Sequence, residues 1–107
     1  MNAADYANKS KELFRRVEDK LDEYEEEVDY DKSDGKVEVV FEKGGPKMVV
    51  NTQRAIMEIW LAGNTRAWHF KWREEENRWF AEAEQVEFYT TLAGLLTDRL
   101  GHKISFE

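Results

Sequence analysis

The 107-residue chain carries 23 acidic against 16 basic residues, a formal net charge of -7, and no cysteine. That length suits one domain with one modest core, and the lack of thiols excludes disulfides, thiolate metal sites and a cysteine nucleophile. The acidic balance disfavours nucleic acid or an anionic membrane as partner and leaves cations or a basic protein surface. No apolar run is long enough to span a bilayer. The opening MNAADYANKSKE has neither an apolar signal core nor the look of a transit peptide, so the expectation is a cytosolic protein or one already processed.

From about Asp5 to Glu27 the spacing predicts a long amphipathic helix. Tyr6, Ser10, Leu13, Phe14, Val17, Leu21, Tyr24 and Val28 recur on one stripe, and Asn2 or Asp5 can cap the start. Its second half is strongly acidic. Glu18, Asp22 and Glu25 fall in one row and Asp19, Glu23 and Glu26 in a neighbouring one, with Lys20 the only base in the run to Asp31. Like charges at this spacing cost about 0.2–0.5 kcal/mol per pair, and they crowd the end of the helix where the dipole favours cations. A solvated, solubilising face is the plainer reading; concentrating the cost at the helix end weakens it.

Val28 to Asp31 starts a first short strand with its two Asp on one side. After the turn Ser33-Asp34-Gly35, Lys36 to Lys43 is a strand, and Lys43-Gly44-Gly45-Pro46 a hairpin loop. Lys47 to Gly63 reads as strand, bend, strand. Met48 and Val50 oppose Lys47, Val49 and Asn51; beyond the bend Met57, Ile59 and Leu61 oppose Glu58 and Trp60. The solvent face then shows Asn51, Gln53, Glu58 and a large Trp60, and a tryptophan there suggests that something binds. The reversed register would bury Glu58 without a partner, at a cost of several kcal/mol. Ala67 to Trp72 is a further strand, with Trp68, Phe70 and Trp72 against His69 and Lys71, and Arg78 to Ala81 a last short one. Trp68, Phe70, Trp72 and Trp79 are expected in the core. Val86 to Leu100 is a second helix with Phe88, Leu92, Leu95 and Leu96 on its apolar face and Gly101 as its cap. The tail His102–Glu107 is expected to pack Ile104 and Phe106 against the helices.

The order is helix, antiparallel meander of five or six strands, helix: an α+β two-layer sandwich with both helices on one sheet face, in a single domain over residues 1–107. Motifs for catalysis are missing. There are two histidines, no nucleophile elbow, no phosphate loop and no dinucleotide fingerprint. The carboxylate rows suit hard cations, but without an EF-hand loop or a Glu-x-x-His pair any binding would be weak, exposed and unselective. His69 is an accessory ligand or simply a surface residue.

Together these residues resemble the frataxin family, in its bacterial CyaY form. The resemblance rests on the acidic helix running into Asp29-Tyr30-Asp31, Gly35 and the Val37–Phe41 strand, then Asn51-Thr52-Gln53, Ile59-Trp60-Leu61-Ala62, Trp68-His69-Phe70, Trp79, and the Leu92–Leu96 helix ending in Ser105-Phe106. The chain departs from the family pattern at Ala55, Glu58, Ala67 and Lys71. The resemblance implies an accessory and regulatory protein of iron–sulfur cluster assembly. Such a protein binds iron weakly and docks on the cysteine desulfurase and its scaffold protein. It is not a classical enzyme, although weak ferroxidase activity is ascribed to some members. By position the metal-binding ridge is Glu18, Asp19, Asp22, Glu23, Asp29 and Asp31, and the partner-binding residues are Glu26, Asn51, Gln53, Glu58, Trp60 and His69. The implied setting is the bacterial cytoplasm, and the implied state a monomer, with oligomers open only to the iron-loaded form. The competing reading is a metal-independent acidic interaction module; an iron-oxidising enzyme ranks last, since no dedicated oxidation centre is legible.

Overall fold

A computed structural model describes residues 1–106; Glu107, the end of the predicted tail, lies outside the described residues. The first helix, α1, spans Ala3–Asp22, and Asn2 caps it by accepting a 2.8 Å hydrogen bond from the Asp5 amide. It buries Tyr6, Ser10, Leu13, Val17 and Leu21, the stripe that the periodicity marks. It ends five residues earlier than the sequence predicts. Residues 23–27 are hydrogen-bonded turns, with the Glu27 and Val28 amides both donating to the Tyr24 carbonyl. Five consecutive residues rich in Glu at the negative end of a helix dipole give the chain reason to leave the α conformation there. Glu25 and Glu26 therefore do not extend the two predicted helical rows.

Seven strands follow in one antiparallel sheet whose spatial order is the chain order. They are β1 (Val28–Ser33), β2 (Lys36–Phe41), β3 (Met48–Gln53), β4 (Glu58–Gly63), β5 (Arg66–Arg73), β6 (Arg78–Ala81) and β7 (Val86–Glu87). The five or six strands expected become seven because Val86 and Glu87 pair with Ala81 and Phe80 instead of opening the helix. The second helix, α2, is Phe88–Leu100. The Glu87 carboxylate caps it by accepting from the Tyr89 and Thr90 amides, and Gly101 closes it in a left-handed conformation.

Both helices cover one face of the sheet. The core between the layers includes Leu13, Val17, Val39, Ile59, Leu61, Phe70, Trp79, Phe88 and Leu92. Trp68 and Trp79 are buried there as expected; Trp72 is half-buried at the rim, edge-on to Trp79 at 5.5 Å, with the Lys9 ammonium 4.7 Å above its ring. Ile104 is buried, and Phe106 lies against Tyr89, its carbonyl accepting from Arg16. The bend between β3 and β4 is a 3-10 turn, Arg54–Ile56, closed by Met57 in a left-handed conformation. Two hairpins fix the register. At the β1–β2 turn Gly35 has φ of +71°, and a side chain there would run into Thr52. At the β4–β5 turn Asn64 and Thr65 both have positive φ, the pattern of a two-residue type I′ loop.

Candidate functional site

The acidic residues wrap one margin of the molecule: the last turns of α1, the 23–27 turn and the edge strand β1. Glu18, Asp19 and Asp22 ride on α1, Glu23 and Glu26 in the turn, and Asp29 and Asp31 on the open side of β1. Several are tied down locally. Glu18 pairs with Lys32 at 2.9 Å, Glu23 with Lys20 at 3.1 Å, and Glu27 with His102 at 2.8 Å. Tyr30 donates its phenol proton to Asp22 at 2.8 Å, fastening the end of α1 to β1. That bond, with the surrounding carboxylates, pushes the Tyr30 phenol up to about 12. Asp31 stands opposite Glu38 in the ladder, a like-charge pair that would destabilise the strands. Lys36 and Lys47 answer it by gripping Glu38 at 3.0 and 3.3 Å and holding its carboxyl below the usual range.

Asp19, Glu25, Glu26 and Asp31 have no ion-pair partner among the described residues. Asp22 and Asp29 meet only the neutral Tyr30 hydroxyl and amide, so among the described residues most carboxylates of this crest have no cation beside them. Their hard oxygens have the chemistry for hard cations. Among the described residues, however, no three acidic or histidine side chains stand where they would share one ion. A cation here meets carboxylates singly or in pairs.

The other predicted cluster lies on the open sheet face, where Asn51, Trp60 and His69 are neighbours in one cross-strand row and Gln53, Glu58 and Lys71 in the next. The Trp60 indole stacks on the His69 imidazole with centroids 4.1 Å apart and planes 12° from parallel, and its N–H donates to Glu58 at 2.7 Å. Gln53 donates to Asn51 at 3.0 Å. The open-face register expected for Trp60 holds, but two expectations need correction. Glu58 is not a solvent-facing residue: it is 8% exposed, accepting from the indole N–H, with the Lys71 ammonium at 3.7 Å. Trp60 itself is half-buried. The carboxylate tolerates this burial because it has two donors. Sequence reasoning missed the Glu58–Lys71 pair, although counting outward from the two-residue turn at Asn64-Thr65 gives 63 opposite 66 and hence 58 opposite 71.

It also missed the far end of the same face. Phe80 sits there, opposite Lys71, buried beneath the Arg73 and Arg78 guanidinium groups at 3.9 and 4.6 Å. Arg73 pairs with Glu76 and Glu82, and Arg78 with Glu76, which draws the Glu76 carboxyl below its ordinary range. Glu26, predicted as partner-binding, is not part of this sheet cluster; it belongs to the crest, beside a small crevice with Phe41, Lys43 and Arg99.

Comparison with known families matches residues 1–102 to the Frataxin-like domain. Among solved structures, a frataxin from Psychromonas ingrahamii, used to study stability modulation within the CyaY protein family, superposes with a TM-score of 0.87. The superposition covers 100% of this chain and 99% of that one at 23% sequence identity, and at that identity the likeness speaks for the fold.

Proposed function

Because this chain belongs to the frataxin family, a family generally linked to iron–sulfur cluster assembly, we propose that it is an accessory and regulatory protein of that process. In this reading it binds iron weakly along the acidic crest and docks on the cysteine desulfurase and its scaffold. The observation that carries the reading is the unmatched charge. Asp19, Glu25, Glu26 and Asp31 repel one another and their paired neighbours, and none has an ion-pair partner among the described residues. Such a margin attracts a basic surface at long range and in a salt-dependent way. Trp60, braced by His69 and Glu58 on the adjacent sheet face, supplies an aromatic anchor for short-range contact. Iron is cargo or signal here, not a resident cofactor, and with no shared cage its binding is weak. The protein has no catalytic role of its own, and its place of action is the bacterial cytoplasm.

One observation favours the metal-independent interaction module instead: the carboxylates do not converge on a common point. Two measurements decide. Capture of the desulfurase is expected at low salt and to fade as salt rises; absence of capture at every salt concentration overturns the docking role. Ferrous iron titrated under nitrogen is expected to move amide signals between residues 18 and 31; no movement there assigns the crest to protein contact alone.

A further inference from the structure

On the side of α1 away from α2, the helix does not close onto the β1–β2 hairpin. It presents Ala3, Ala7 and Ser10 to the gap, side chains too short to fill it, and a groove of about 620 Å³ remains. That volume lies within the range of pockets for drug-sized ligands, about 300–1,000 Å³. Its floor is apolar: Tyr6, Phe14, Val37 and Met57 line it, the first and third buried in the core. Ser10 is 6% exposed and lines the same groove, yet its hydroxyl oxygen has no hydrogen-bond partner among the described residues. The Tyr6 phenol beside it gives its own proton to the Glu58 carbonyl at 2.6 Å, so it can only accept from Ser10, and the acceptor side of the Ser10 oxygen is left open. A native interior seldom leaves a polar atom in this state without a use for it.

The rim is cationic in a protein of net charge -7. Lys11, Arg15, Lys32, Lys36 and Arg54 line it against Glu18 and Asp34. Three of the five are engaged: Lys32 by Glu18, Lys36 by Glu38, Arg54 by Asp34. Lys11 and Arg15 have no ion-pair partner among the described residues and stand four apart on the groove side of α1, where like charges repel.

We propose that this groove is a binding site for a small amphiphilic carboxylate, with its apolar body on Phe14 and Met57 and its head group between Lys11 and Arg15. An apolar ligand alone would leave the two charges unanswered, and an inorganic anion would leave the floor bare. The site borders the crest at the Glu18–Lys32 pair and does not include Trp60 or His69, and the proposal stands whether or not the assembly role does.

The test uses the whole chain and two dyes of one shape, anionic 1-anilinonaphthalene-8-sulfonate and neutral N-phenyl-1-naphthylamine. The anionic dye is expected to bind saturably, to shift amides of residues 6–15, 32–37 and 52–57, to be displaced by decanoate, and to bind about tenfold more tightly than the neutral one. The double variant Lys11→Gln, Arg15→Gln lies on the exposed helix surface and keeps its melting temperature. It should erase the preference for the anion and leave neutral-dye binding unchanged. Equal affinity for the two dyes, a preference that survives the double variant, failure of decanoate to compete, or shifts centred elsewhere would each overturn the proposal.

Discussion

The acidic crest and the open sheet face are the two surfaces that the sequence singles out, and they are built on opposite principles. On the sheet face charge is answered by charge. Glu58 has the Trp60 indole and Lys71, Glu38 has two lysines, Glu76 has two arginines. On the crest Asp19, Glu25, Glu26 and Asp31 are left over. An unmatched charge is felt at a distance of about one Debye length, roughly 8 Å at physiological salt. A matched one is felt only in contact. The crest is therefore suited to drawing a partner in and the face to recognising it on arrival. Their free-energy costs differ in the same way: the crest is destabilising in isolation, while the face is held in shape before any partner comes.

The comparison breaks if the crest proves indifferent to its charge. Replacing Asp22, Glu23 and Glu26 by Lys inverts the margin and is expected to weaken desulfurase binding about a hundredfold or more at low salt, with weaker iron binding and a preserved circular-dichroism spectrum. Equal affinity at low salt would end the electrostatic account. The next effect belongs to the face. Trp60→Ala is expected to fold normally, since the indole covers the outer side of the sheet, and to lose about 2 kcal/mol of binding as an interface anchor does, with little change in salt dependence. Loss of the fold instead would show that the ring is structural.

The fold was legible because its signals are local and repeated. The stripe from Tyr6 to Leu21 and the alternation through Met48–Leu61 bury most of the residues that their period selects, with Phe14 and, at the bend, Met57 left half-buried. What escaped depends on contacts between elements. Glu87 looks like an ordinary helix residue until its carboxylate is seen capping α2, and Val86 joins the sheet only because Ala81 lies opposite. Phe80, facing away from the core, reads as an error of alternation unless the arginines that cover it are known. In the candidate site the identity of the sheet cluster was readable, while the burial of Glu58 was not. Period-two reasoning assigns a side to each residue but does not say that a neighbouring indole and a lysine will close on its carboxylate. Two of the family departures, Glu58 and Lys71, prove to be ladder partners, a pairing visible only once the register is known.

A smaller effect sharpens the comparison on the face. Glu58→Gln keeps an acceptor for the Trp60 indole but removes the charge that Lys71 meets at 3.7 Å. Because Lys71 is largely exposed, the expected loss of stability is about 1 kcal/mol or less, read as a small drop in melting temperature that shrinks as salt is added. A large, salt-independent loss would mean that the carboxylate supports the sheet through more than these two contacts.

The smallest effect lies where the crest is tied to the sheet. Tyr30→Phe deletes only the hydroxyl that bonds Asp22 across from β1 to α1, and at neutral pH the exposed bond is worth about 0.5 kcal/mol. Its pH dependence identifies it. The folded phenol holds its proton up to about 12, against an ordinary value of 10.0, so the folded state retains a proton that the unfolded chain gives up. The stabilisation is fully present below pH 10 and is lost as pH rises toward 12, because a phenolate cannot donate and would face Asp22 as a second anion. Wild type and variant should differ in melting temperature by a constant amount through the neutral range, and the gap should narrow, close and reverse sign across that alkaline interval. A gap that stays open there would mean that the hydroxyl acts other than by giving its proton to Asp22, leaving the end of α1 held to β1 by the Glu18–Lys32 pair.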